Sequence, residues 1–413
     1  MMILRQVFFL LVLAGSFHGV GQTKGSQWRG PGRDGIYPGE NLLKQWPEQG
    51  PELLWSFEGL GAGQGSAVVS GDRVFVTGIP DTLNGKGHLF SFDMKGKLLW
   101  KKEYGPEFIE LFPGARSTPT LVDGLLYIES GSGKLYCLSA GDGAEKWSVD
   151  FFRDLKCDSV QFGFSESVLI DGDKVIFTPG GKENNMVALD RFTGKPIWSC
   201  RGFEEQATYT SPILAVHNGH RLIINLTATS IIGVNADTGE FLWRVPQFQD
   251  NKIHANTPVY HNGEIVVSSA SRKDTSGLVL LRLSDDCRNA GVIWRNLKFI
   301  NLSGGLVLKD GYVYGSAYIR PEWQCIDWKS GQPKYISKEL GGGVVIYADG
   351  LFYCYTERDG EMALVEASPE SFRIISKFRV PLGTLEHWAH PVIKDGRLYL
   401  RHGNALMAYK ITS

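Results

Sequence analysis

Apolar and polar positions in this chain alternate in short runs, and the runs break at regularly placed glycine turns. Arg73-Val74-Phe75-Val76, Leu125-Leu126-Tyr127-Ile128, Lys174-Val175-Ile176-Phe177, Tyr312-Val313-Tyr314, Leu351-Phe352-Tyr353 and Leu398-Tyr399-Leu400 have strand length and strand composition. The turns are Ser70-Gly71-Asp72, Asp123-Gly124, Asp171-Gly172-Asp173, Asn218-Gly219, Asn262-Gly263, Asp310-Gly311, Asp349-Gly350 and Asp395-Gly396. Asn-Gly or Asp-Gly between alternating runs is the strongest short-range hairpin signal, because both residues tolerate positive φ. Successive turn glycines lie 39 to 53 residues apart. An all-β repeat of that length predicts propeller blades and not a helical solenoid.

A second signature closes most units. Glycine precedes tryptophan by four residues at Gly96 and Trp100, Gly143 and Trp147, Gly194 and Trp198, and Gly239 and Trp243; Gly291 with Trp294 and Gly331 with Tyr335 are variants. This predicts a turn that launches the outermost strand and docks an aromatic ring on the neighbouring blade, since one repeat cannot bury its faces alone. The last unit is too short for four strands. Glu52-Leu53-Leu54-Trp55-Ser56-Phe57 is expected to supply the missing one, with Trp55 as its docking aromatic. Pairing the two ends closes the ring and hides both sheet edges. The expected architecture is therefore all-β: an eight-bladed β-propeller over residues 52–413. Residues 22–51 precede it and are expected to wrap across a face, burying Trp28 and Trp46.

Composition fits this plan, with 50 Gly for turns and 11 Trp for anchors. A net charge of -1 with no basic run excludes a nucleic-acid partner. Arg5, the apolar residues 7–14 and the small Gly19 and Gly21 read as a signal peptide over residues 1–21. The mature chain is expected to be a periplasmic or extracellular monomer, without a transmembrane helix. Cys137, Cys157, Cys200, Cys287, Cys325 and Cys354 have no metal-site spacing, so no metal ligand is expected among them. Cys137 and Cys325 share a small-residue slot with Ala188 and Gly233, which reads as buried packing.

The run Ala188-Leu189-Asp190-Arg191-Phe192-Thr193-Gly194-Lys195-Pro196-Ile197-Trp198 resembles the A-x-D-x-x-T-G-x-x-x-W repeat of quinoprotein-like propellers. Asn235-Ala236-Asp237-Thr238-Gly239-Glu240-Phe241-Leu242-Trp243 is a near match. The opening Gln27-Trp28-Arg29-Gly30-Pro31-Gly32-Arg33-Asp34-Gly35 is similar to that of exported bacterial proteins with such repeats. The resemblance implies either of two activities: PQQ-dependent alcohol or sugar oxidation with Ca²⁺, or non-catalytic scaffolding of the BamB kind. Fold alone does not choose between them. The dehydrogenases carry an adjacent Cys-Cys pair, which this chain lacks; the lipoprotein scaffold carries an anchoring Cys, also lacking here.

Ligand sites of a propeller gather where connections enter the inner strands. Those connections hold Arg116, Glu166, Tyr209, His254, Asn301, His387, Trp388 and His390. They are the candidate ligand-binding residues, with Arg116 and Glu166 fixing a polar ligand and Tyr209 and Trp388 stacking on it. The same short connections also suit plain strand starts near a crowded axis. The leading expectation is a scaffold that binds a small molecule or an envelope protein. An oxidoreductase using PQQ comes second, and a carbohydrate-binding or carbohydrate-processing propeller third. Gly341-Gly342-Gly343 precedes no helix and does not read as a phosphate cradle.

Overall fold

The computed structural model describes residues 25–271, 273–318 and 320–413. The expected signal peptide lies outside the described residues. Among them stand eight antiparallel sheets: seven are four-stranded, and the second gains Gly25–Ser26 as a fifth strand. The first blade runs from Val68–Ser70 to Leu98–Pro106 and the seventh from Gly343–Ala348 to Ile374–Arg379. The eighth takes Val392–Lys394, Arg397–His402 and Ala405–Lys410 from the C-terminus and Glu52–Phe57 from the N-terminus. Trp55 faces Ala408 in that closing pair. The helix Phe151–Leu155, capped by the Asp150 carboxylate, interrupts the path from blade two to blade three.

The turns follow their residues. At Asp123-Gly124, Asn218-Gly219, Asn262-Gly263, Asp310-Gly311, Asp349-Gly350 and Asp395-Gly396 both central residues have positive φ, the type I′ geometry. In blades one and three the glycine comes first, and only Gly71 and Gly172 are positive. That is the type II′ alternative, chosen by the order of the two residues.

Each docking aromatic sits opposite a position on its own third strand and reaches the next blade. Trp100 pairs with Ser91, Trp147 with Cys137, Trp198 with Ala188, Trp243 with Gly233, Trp294 with Leu280 and Tyr335 with Cys325. A small residue at most of these positions gives the ring its room. The indole N–H groups of Trp55, Trp147, Trp198 and Trp294 donate to the carbonyls of Met94, Arg191, Ala236 and Trp328, all in the following blade. All six cysteines are buried and free. Burial pushes the thiols of Cys137 and Cys325 up to about 12, so they behave as packing groups. Among the described residues, no helix is long and apolar enough to cross a membrane.

The segment before the propeller does not stay on a face. Gly25 and Ser26 pair with Val122 and Leu121 on the inner strand of blade two. Residues 27–37 then run into the central channel and back. Ile36 bridges to Tyr347 of blade seven, and Trp46 packs against Tyr353 and Phe378 of that blade. Two arginines draw the segment inward, because the channel walls offer carbonyl oxygens that a flat face does not.

Candidate functional site

In an antiparallel meander alternate connections emerge on the same side. The Asx-Gly hairpins and the turns into the outermost strands therefore share one face, called here the hairpin face; the connections between second and third strands and those between blades share the other, called here the loop face. The channel between the faces is filled by the chain itself. Trp28 donates its indole N–H to Thr257 Oγ1 at 2.8 Å and lies 4.4 Å, ring centre to ring centre, from His390. The Arg29 guanidinium donates to the Leu306 carbonyl at 2.6 Å, the Asp34 carbonyl at 3.0 Å and His390 Nδ1 at 3.1 Å. Arg33 donates to the carbonyls of Ser167 and Val168 and to Gln27 Oε1. Glycine is required at position 305, where a Cβ would collide with the Arg29 guanidinium. Burial lowers both arginines to about 10. Both stay cationic at neutral pH, each meeting backbone carbonyl dipoles.

Because Arg29 donates to Nδ1, His390 must present a lone pair there, leaving its Nε2–H for the Ser303 carbonyl at 3.2 Å. Burial, with Arg29 beside it, pushes the His390 pKa well below the usual imidazole range. His390 is thus a neutral ring held between the plug and blade six.

Above Trp28 the loop face forms an axial depression of about 140 Å³. Its lining brings together four of the residues singled out from the sequence: Arg116, Tyr209, Trp388 and His390. Arg116 donates to the carbonyls of Leu111 and Phe112 at 2.6 and 2.7 Å and lies over the Phe108 ring. Tyr209 Oη accepts from the Phe162 N–H at 3.1 Å, and Trp388 donates to Glu357 Oε1 at 2.7 Å. A chain of rings, Trp388 to Phe112 to Phe162 to Tyr209, arcs around this mouth at centre separations of 5.5 to 6.3 Å.

The other four candidates stand elsewhere, and the expected pairing of Arg116 with Glu166 on one ligand is corrected. Glu166 is buried between blades two and three. Its N–H donates to Glu129 Oε1 at 2.7 Å, while its carboxylate accepts from the Thr178 N–H and the Asn225 amide. Desolvation pushes its carboxyl up to about 8, and Glu129 is likewise raised well above the ordinary range, by burial first and by Glu166 next. Asn301 is buried, its side-chain amide donating to the Ser316 carbonyl and its backbone N–H to the Ser268 hydroxyl. His254 is buried with neither ring nitrogen bonded, and burial lowers it to about 4. His387 stacks on His402 at 3.6 Å and meets Tyr355 Oη, lowered to about 4 by burial first and by His402 next. Glu166, Asn301 and His387 serve joints between elements, where packed connections draw on one another's donors and acceptors, and His254 is simply buried there.

Two sets of residues escaped the reading of the sequence. Arg29 and Arg33 lay in the opening motif and were valued only as a family mark, and Trp28 beyond that only as a ring to bury. Two arginines and a tryptophan among glycines and proline, in an otherwise plain N-terminal stretch, were the available signal. Leu111, Phe112 and Leu385 are exposed apolar residues of the loop face, and Phe112 and Leu385 hold positive φ of 51° and 67°. Side chains at such φ are strained, and strain of this kind concentrates at functional surfaces.

The known proteins that this chain is similar to are of two kinds. Over 163 residues it is 29% identical to quinoprotein ethanol dehydrogenase of Pseudomonas aeruginosa, spanning 36% of this chain and 25% of that protein. Over 185 residues it is 25% identical to outer membrane protein assembly factor BamB of Kangiella koreensis, spanning 44% of this chain and 42% of that one. The chain thus covers less than half the length of the curated relatives it matches. The solved structure of BamB from Moraxella catarrhalis superimposes with a TM-score of 0.60 at 16% identity, over 87% of this chain and 97% of that one, a likeness of fold. Residues 85–337 match the family described as outer membrane protein assembly factor BamB, and the chain belongs to that family of PQQ-like propellers.

Proposed function

We propose that this chain is an exported, non-catalytic binding propeller, acting as a monomer, that holds an envelope protein or a ligand on its loop face. One observation carries the reading: the central channel is occupied by the chain's own Trp28, Arg29 and Arg33, so that ligand contact is left to the rim. Around the axial depression that rim offers exposed Leu111, Phe112 and Leu385 beside Arg116, Tyr209 and Trp388. Apolar anchors ringed by polar groups are the anatomy of a protein-binding patch.

The quinone alternative fits the residues poorly. PQQ is a flat, fused-ring tricarboxylate and needs a planar slot with free cationic groups. The axial depression, about 140 Å³, is below the roughly 300 Å³ at which ligand pockets begin. The two axial arginines are committed to backbone carbonyls, and the cysteines are dispersed and buried. Among the described residues no three His, Cys, Asp or Glu side chains stand together as a metal site.

A photo-crosslinking residue at position 112 should capture a discrete envelope component in the producing cell. The same residue at position 192, exposed on the hairpin face, should not. Equal labelling from both faces, or none from either, contradicts the proposal. So does a saturable rise in melting temperature on titrating PQQ with Ca²⁺, which would mean native-state binding of the quinone.

A further inference from the structure

A second cavity opens on the loop face away from the axis, between the inner ends of blades six, seven and eight. Its volume is about 320 Å³, at the small end of ligand pockets. Trp388 forms the partition, lining this cleft on one side and the axial depression on the other. Tyr318, about half exposed, lines the cleft as well. Glu357, Arg358 and Asp359, consecutive in the connection between the second and third strands of blade seven, bring two carboxylates and one guanidinium.

The cleft is built and held rigid. Glu357 is pinned by the Trp388 indole N–H at 2.7 Å, which fixes the ring and the carboxylate together. The Glu357 N–H donates to the Gly342 carbonyl, and the Trp323 indole N–H donates to the Gly341 carbonyl. The glycine run at 341–343 thereby acquires a role. A Cβ on Gly343 would collide with the Tyr355 carbonyl, and one on Gly342 would stand 2.8 Å from Ser316 Oγ. Behind Trp388, both ring nitrogens of His402 sit 2.8 Å from carbonyls, those of Leu382 and Leu385, and its ring stacks on His387. That clamp orders the connection that carries Trp388.

We propose that this off-axis cleft binds a neutral saccharide. Carboxylates accept hydrogen bonds from hydroxyls, and a guanidinium donates to them. Aromatic rings offer an apolar face to the C–H side of a sugar ring while their polar tips stay bonded. Two carboxylates against one guanidinium leave the lining net negative, which disfavours phosphates and uronic acids. The inference goes beyond the binding function proposed above and, Trp388 apart, rests on other named residues.

The test titrates the mature protein with cellobiose, maltose and diacetylchitobiose, read by tryptophan fluorescence and calorimetry, with glucose 6-phosphate as the anionic probe. At least one neutral disaccharide should bind saturably, with Kd of about 1 mM or tighter. Tyr318→Ala and Asp359→Asn, both at exposed side chains, should each weaken it about tenfold or more with the melting temperature unchanged. Leu111→Ala, at an exposed side chain outside the cleft, should leave saccharide binding intact while lowering crosslinking at position 112, so the two proposals fail separately. No saturable response to any of the three sugars, binding that survives both substitutions, or preference for the phosphorylated sugar overturns the proposal.

Discussion

The two faces of this ring are made from the same repeats by different rules. On the hairpin face most blades solve the same problem the same way. Asx-Gly turns take left-handed φ, and an aromatic at the end of the unit docks on the next blade's turn. On the loop face nothing repeats. One connection carries a helix, the Glu357–Trp388 hydrogen bond ties two others together, and two hold apolar residues at positive φ beside the axial mouth. The hairpin face spends its residues on closing the ring, which leaves the loop face free to diverge. A scaffold whose stability sits at one end can carry recognition at the other.

The largest expected effect breaks that division at its stable end. Trp198 is 8% exposed, packs against Gly239 and donates to the Ala236 carbonyl. Trp198→Ala should cost about 3–5 kcal/mol in urea unfolding. Phe112→Ala, at a side chain 52% exposed on the loop face, should cost less than about 1 kcal/mol. Comparable losses at the two positions would mean that the loop face is structural after all.

The next effect comes from the joints between blades. Buried carboxyls favour their neutral form: Glu107 is raised to about 7 and Glu166 to about 8, both chiefly by desolvation, against an ordinary 4.5. Their contribution is present below pH 4.5 and is lost as pH rises through those values. Buried imidazoles act oppositely. His254 and His387, lowered from 6.5 to about 4, contribute above pH 6.5 and lose that as pH falls through 4. Between pH 4.5 and 6.5 the two trends oppose, and above pH 6.5 only the carboxyls titrate. The melting temperature should therefore fall between pH 6.5 and 9, and Glu166→Gln should flatten the fall. A flat profile over that window in the parent protein would mean that these carboxyls are hydrated in solution.

The hairpin face was legible in the sequence because its determinants are local. Asn218-Gly219 dictates a turn from two residues, and Gly194 with Trp198 marks a docking aromatic from five. Closure by Glu52–Phe57 was legible from a deficit, the last unit lacking a strand. The loop face was half legible. The inter-blade connections could be picked out, but which side chains turn toward solvent depends on partners far away in sequence. Glu166 looked like a rim residue until Glu129, Thr178 and Asn225 took its groups into a blade joint. Arg29 was the hardest case. Its partners Leu306 and His390 lie 277 and 361 residues away, and they are a carbonyl and a ring that no local pattern announces.

The smallest expected effect sharpens the comparison most. Leu385 is 58% exposed with φ of 67°, so burial of its side chain does not explain its presence, and its backbone is strained. Leu385→Gly relieves roughly 1 kcal/mol of left-handed strain and gives back a similar amount in unfolded-chain entropy. Stability should thus stay within about 0.5 kcal/mol of the parent. A side chain kept for folding would instead reveal itself as a clear loss. A side chain kept for recognition leaves the urea midpoint in place and lowers crosslinking at position 112, because the apolar lip beside Trp388 is gone. Stability retained with capture reduced is the expected pair of results. Stability lost, or capture unchanged, would move Leu385 from the recognition surface to the scaffold.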